Sequence, residues 1–157
     1  YGIEGLRLLK EGFSPQMALD DMLKTDPDRE FRQVIIIDRL GRTAAFTGKE
    51  TQNWKGHRTG KNYAVAGNLL TRGEVLKAMA QTCEGSEGWL AERLMEALEA
   101  GQEDGGDRRG KVSAALLVAG RRKTEAGLIL DLRVDEHPEP VKELRRIFEV
   151  HKKFMKA

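Results

Sequence analysis

The sequence is poor in the residues that would commit it to several classes of protein. There is one cysteine, Cys83, among 157 residues. No intrachain disulfide can form, which excludes a disulfide-framed secreted scaffold and fits a reducing compartment such as the cytoplasm. Cys83 falls at an apolar helical position and reads as a packing residue rather than a reactive thiol. Long apolar runs are missing too. The longest, Ala114–Ala119, is far short of the roughly 20 residues that a membrane-spanning helix needs. No basic-then-apolar targeting segment opens the chain. Nor is there an excess of one charge: 27 Lys and Arg stand against 25 Asp and Glu, a formal +2. Aromatics make up only 6%. A nucleic-acid binder uses a marked basic excess on phosphates and aromatics on bases, and this chain has neither. Apart from a lone D-x-H in Asp135-Glu136-His137-Pro138, nothing has metal-site spacing. The expectation is one domain over residues 1–157, cytoplasmic, with no metal or other cofactor and neither nucleic acid nor membrane as partner.

What is present begins abruptly. No Met opens the chain, and Ile3, Leu6 and Leu9 already have helical spacing, so the expectation is a polypeptide whose earlier part is missing. Ser14-Pro15 has the form of an N-cap followed by proline at the first helical position. The helix it starts should bury Met17, Ala18, Leu19 and Met22 and stop near Thr25-Asp26-Pro27. Arg32–Asp38 is a β-branched apolar run that predicts a strand buried on both faces. Leu40-Gly41 turns it into a hairpin with Thr43–Phe46. Gly48–Lys61 is polar and reads as a loop, and Tyr63–Asn68 as a third strand. Two helices follow, one with Val75, Met79 and Cys83 on its face, the next with Leu90, Leu94, Ala97 and Leu98. After a loop over 101–110 come strands at Ser113–Val118 and Leu128–Val134, with Arg121-Arg122-Lys123 as a solvated turn. The last helix places Val141, Leu144, Phe148 and His151 on one side. Hairpins alternating with helix pairs do not give a parallel βαβ sheet. They predict α+β, with two antiparallel sheets between helical layers.

Two loops carry chemistry. In GGDRRGKVSAALLV, glycines at 105, 106 and 110 allow unusual φ. Asp107 can hold Arg109, which then presents a fixed fork to a carboxylate or phosphate, while Ser113 opens the strand. Composition alone favours the other reading of this loop, a solvated turn that keeps a strand edge soluble. In Trp54-Lys55-Gly56-His57-Arg58-Thr59-Gly60, an aromatic and a histidine flanked by glycines suit a pocket wall. They suit a tryptophan capping the core edge just as well. No Walker or G-x-G-x-x-G pattern supports nucleotide binding.

Set in order, AAFTGKETQNWKGHRTG, YAVAGNLL, LEAGQEDGGDRRGKVSAALLV and DLRVDEHPEPVKELRRIFEVHKKF resemble a bacterial family of unknown function, DUF1028, placed in the N-terminal-nucleophile (Ntn) hydrolase superfamily. The resemblance covers essentially the whole chain. It implies a four-layer α-β-β-α sandwich that lacks its first strands here, and amide hydrolysis by a Thr, Ser or Cys at a processed N-terminus. That nucleophile would lie upstream of Tyr1, whose phenol is no substitute. The resemblance also brings Asn68, from the G-N pair, beside Trp54, His57, Asp107, Arg109 and Ser113 as pocket candidates, with Asp135 and His137 behind them. Lys111-Val112-Ser113 departs from the pattern, which has Gln before the Ser. Two functions follow as expectations: an amidohydrolase acting on a small, anionic amide, or a binding protein that keeps the pocket without turnover. A homodimer is the expected assembly.

Overall fold

The computed structural model describes residues 1–120 and 128–155. Among them lie five α-helices and three two-stranded antiparallel sheets, a mixed α+β architecture. The Arg121-Arg122-Lys123 turn lies outside the described residues.

The first unit is a helix pair on a hairpin. Helix α1 (Gly2–Lys10) leads to α2 (Pro15–Thr25), whose start is capped by Ser14: its hydroxyl accepts from Met17 N at 3.2 Å. Strand β1 (Gln33–Ile37) pairs with β2 (Thr43–Thr47). Asp38 closes their turn by accepting from Leu40 N and Arg42 N, both at 2.9 Å, around Gly41 at φ +75°. Val34, Ile36, Ala44 and Phe46 meet Leu8, Ala18, Leu19 and Met22 of the helices.

The opposite face of that hairpin carries Gln33, Ile35, Thr43 and Thr47, and it looks at a second hairpin. Gln33 Nε2 donates to Gly56 O and Gly67 O at 2.9 and 2.8 Å, and Thr43 Oγ1 donates to Gly60 O at 3.4 Å. These carbonyls belong to β3 (Gly56–Gly60) and β4 (Tyr63–Gly67). Val65 on the far side packs on α3 (Glu74–Gly85) through Val75, Leu76 and Ala80. A third unit sets α4 (Leu90–Glu103) and α5 (Pro140–Met155) over β5 (Ala114–Ala119) and β6 (Leu128–Val134). Its core is Met95, Leu116, Val118, Leu130, Leu144 and Phe148, with Trp89 stacked on Phe148 at 5.4 Å.

Several expectations are corrected. Gly48–Lys61 is not all loop, since β3 lies inside it with His57, Arg58 and Thr59 exposed. β1 is not buried on both faces: Ile35 and Ile37 are each 43% exposed, because a two-stranded sheet gives its residues little lateral cover. Met17 faces solvent while Leu19 is buried, and on α1 it is Gly5 and Leu8, not Ile3 and Leu6, that turn inward. On α4 the buried stripe is Ala91, Met95 and Ala97, while Leu90 and Leu94 are exposed. Helix α4 also runs on to Glu103, which shortens the loop behind it. Cys83 is half-buried against the α3 core, and desolvation pushes its thiol pKa up, as a packing residue requires.

Candidate functional site

The site begins where α4 ends. Gly105, Gly106 and Gly110 have φ of +115°, +55° and +104°, conformations that residues with a Cβ rarely adopt. The chain folds back at once, with Gly106 N bonded to Gly101 O at 3.0 Å. It is then clamped against Asn68–Thr71: Arg108 N donates to Leu69 O at 2.8 Å and Thr71 N to Gly106 O at 3.0 Å. Inside this frame Asp107 grips Arg109. Its Oδ1 accepts from Arg109 N at 2.8 Å and Nε at 3.0 Å, while Oδ2 accepts from Nη2 at 2.6 Å. The bond from Arg109 holds the Asp107 carboxyl below the usual range, against a smaller push upward from desolvation. Lys111 is paired in the same way, 2.6 Å from the Glu139 carboxylate, and its bond lowers the Glu139 pKa.

This loop walls a cleft of about 560 Å³, within the usual size range for small-molecule sites. Leu70, Val75, Met79 and Leu98 provide apolar lining; Asp107, Arg109, Lys111 and Ser113 provide the polar side. Ser113 is exposed and lies one residue ahead of β5, not at its first position as the sequence suggested. The cleft thus brings together Asp107, Arg109 and Ser113 from the expected set.

The other candidates lie elsewhere. His57 Nδ1 is 2.9 Å from Thr47 Oγ1, between the two hairpins, and does not line the cleft. Trp54 lies over Gly56 and Gly73, where a Cβ on Gly73 would fall 2.6 Å from its ring. It covers the start of α3 while staying 49% exposed. Asn68 borders a separate cleft with Gln33 and donates to Gln33 Oε1 at 3.0 Å. Asp135 accepts from Arg133 at 3.0 Å, and His137 Nδ1 accepts from Glu139 N at 3.0 Å just ahead of α5. Among the described residues no three His, Cys, Asp or Glu side chains gather around a possible metal position, and no helix is long and apolar enough to cross a membrane.

Gln33 and Thr47 were missed by sequence reasoning. Gln33 Nε2 also approaches Thr47 Oγ1 at 3.1 Å, so one amide ties Asn68, Thr47 and, through it, His57 into a chain of contacts. The signal was a polar residue sharing a strand face with Ile35 and Ile37. Its partners stand 14 to 35 positions away, out of reach of local pattern.

The cleft is thus largely apolar and is walled by a glycine-hinged, charge-paired loop. Residues 1–144 match the Family of unknown function (DUF1028), and the chain belongs to that family. It is similar, at 34% identity and a TM-score of 0.83, to the crystal structure of protein SPO2555 from Silicibacter pomeroyi, also DUF1028. That likeness covers 94% of this chain but only 64% of the solved one, so the chain spans under two-thirds of its relative's length. No curated protein matches the chain.

Proposed function

We propose that the protein binds a small, anionic amide in the cleft beneath the 105–113 loop. The observation that carries this reading is the Asp107–Arg109 fork at the mouth of an apolar cleft. Asp107 takes up Nε and one edge of the guanidinium and leaves Nη1 to donate to a ligand. Because the pair is neutral overall, it fixes orientation more than it supplies net charge. Loops positioned by a rigid scaffold are where binding residues concentrate.

A second reading is amide hydrolysis of the Ntn type. The succession of helix pair, hairpin, hairpin and helix supports it, because that order is the one a four-layer α-β-β-α sandwich has. Ser113 has no hydrogen bond to a basic side chain among the described residues, so turnover would need a nucleophile other than this hydroxyl.

Arg109→Ala, compared with the parent against a panel of carboxylated amides, tests the binding reading. The expected outcome is a Tm nearly unchanged with affinity lowered about tenfold to a hundredfold, the value of one charge-assisted hydrogen bond. A mutant that binds the panel as well as the parent contradicts it. Release of amine from any panel member, followed by mass spectrometry, distinguishes turnover from binding.

A further inference from the structure

A second cleft, of about 400 Å³, opens on the other side of the Asn68–Thr71 segment. It is lined by Phe31, Gln33, Glu50, Gln52, Asn68 and Leu69. We propose that it is a binding site for an ammonium-bearing amide of about the size of an amino-acid amide. This does not rest on the reading of the first cleft.

Hydrogen-bond chemistry sets which atoms are left over for a ligand. The two carbonyls Gly56 O and Gly67 O can only accept, so the group facing them is the NH₂ of Gln33. Gln33 Oε1 then faces Asn68, which must turn its Nδ2 toward it. Asn68 Oδ1 is left as an acceptor. The same reasoning fixes Gln52. Arg108 Nη2, which can only donate, lies 3.2 Å from Gln52 Oε1 and leaves Gln52 Nε2 as a donor. One acceptor and one donor are the complement of an amide group, which carries an N–H and a C=O.

Charge adds the ammonium. Glu50 is held by its backbone, Glu50 N to Glu30 O at 2.8 Å, and its side chain is exposed. Among the described residues its carboxylate has neither an ion-pair nor a hydrogen-bond partner. The carboxylates in and beside the first cleft, Asp107 and Glu139, are both spoken for. An ammonium is therefore drawn to Glu50. Phe31, 62% exposed, offers an apolar surface beside it. Leu69 closes the floor, its N bonded to Gln52 O at 3.0 Å, so the two amide-bearing segments are tied to each other.

The test is a ¹⁵N–¹H NMR titration of the protein with leucinamide and with N-acetyl-leucinamide, which keeps the amide and removes the ammonium. Leucinamide is expected to shift the amides of residues 50–52 and 68–69, with the acetylated compound at least tenfold weaker. Glu50→Gln should weaken leucinamide about tenfold and erase the difference between the two probes. Asn68→Ala should weaken both, while Arg109→Ala leaves both unchanged. Equal binding of the two probes, an unaffected Glu50→Gln variant, or no shift at these residues at millimolar leucinamide overturns the proposal. So does loss of binding in Arg109→Ala, which would put the ligand in the other cleft.

Discussion

The two clefts share one wall and differ in what they do with charge. Leu70 of the Asn68–Thr71 segment faces one cleft and its neighbour Leu69 the other. On the Leu70 side, Asp107 is bound to Arg109 and Lys111 to Glu139. Each charge is paired inside the protein, and the apolar lining and Arg109 Nη1 are what remain for a ligand. On the Leu69 side, Glu50 and two amides keep capacity unused, and the apolar contribution is limited to Leu69 and the exposed ring of Phe31. Paired charges hold a shape; unpaired groups at a fixed position recognise. The first cleft should select by fit with one directional bond, and the second by charge and hydrogen-bond pattern.

Removing the shared wall is the most damaging way to break this contrast. Leu70 is 9% exposed and its backbone is bonded to Trp54 in both directions, at 3.2 and 2.9 Å. Leu70→Ala should cost about 2–4 kcal/mol of unfolding free energy, read by urea denaturation, because a buried leucine is replaced by a cavity. It should also blunt ligand responses in both clefts. A near-neutral change would mean that the segment is not the common support.

Asp107→Asn acts on one side only. The fork to Arg109 is weakened while the frame of backbone bonds stays. With Arg109 67% exposed, solvent screens the pair and the expected loss of stability is smaller than that of Leu70→Ala. Amide exchange at Arg109 and Gly110 should quicken with no change at residues 50–52, as hydrogen-exchange measurements would report.

Acid should erode the ion pairs of the protein, those of the first cleft among them, over a defined pH range. Asp107 and Glu139 are both held below the usual carboxylate range, so their contribution is complete above their unfolded pKa values and is lost as pH falls through the lower folded ones. Asp26, where the bond from Arg32 and then that from Tyr1 lower the pKa from 3.8 to about 2, sets the far end of the window. Stability measured from pH 7 downward should hold to about pH 5 and then decline toward about pH 2. A decline already complete at pH 5 would contradict these pairings.

The smallest effect belongs to His57→Ala. It removes the contact with Thr47 and nothing from either cleft. Stability should change by less than about 1 kcal/mol, as for an exposed hydrogen bond. Ligand responses in both clefts should be kept; a lost response would return His57 to the pocket wall that the sequence suggested.

Local chemistry was legible where a residue acts on its own neighbours. Ser14-Pro15, Leu40-Gly41 and the 105–110 glycines did what their φ preferences and capping groups require. The α5 stripe of Val141, Leu144 and Phe148 was visible for the same reason, since a helix repeats its face every turn. Illegible features were those settled by distant partners. β3 has glycines at both ends and three exposed polar or charged side chains, so only its pairing with β4 makes it a strand. On α4, Ala97 is buried and Leu98 packs on the core as expected, but Leu90 and Leu94 give way to Ala91 and Met95 because β5, β6 and α5 pack on that side. The Asp107–Arg109 contact was legible because the two residues are two positions apart on one loop. His57, Trp54 and Asn68 follow one another along the chain, yet the alternation of β3 and the turn after β4 send them to different surfaces.

NMR mapping with the tightest carboxylated amide of the panel asks whether a ligand sits beneath the 105–113 loop. A ligand there shifts the backbone amides of Gly106–Ser113 and the methyl groups of Leu70, Val75, Met79 and Leu98, with saturable dependence on ligand concentration. Shifts confined to residues 50–52 and 68–69, or spread over the surface without saturation, would contradict it.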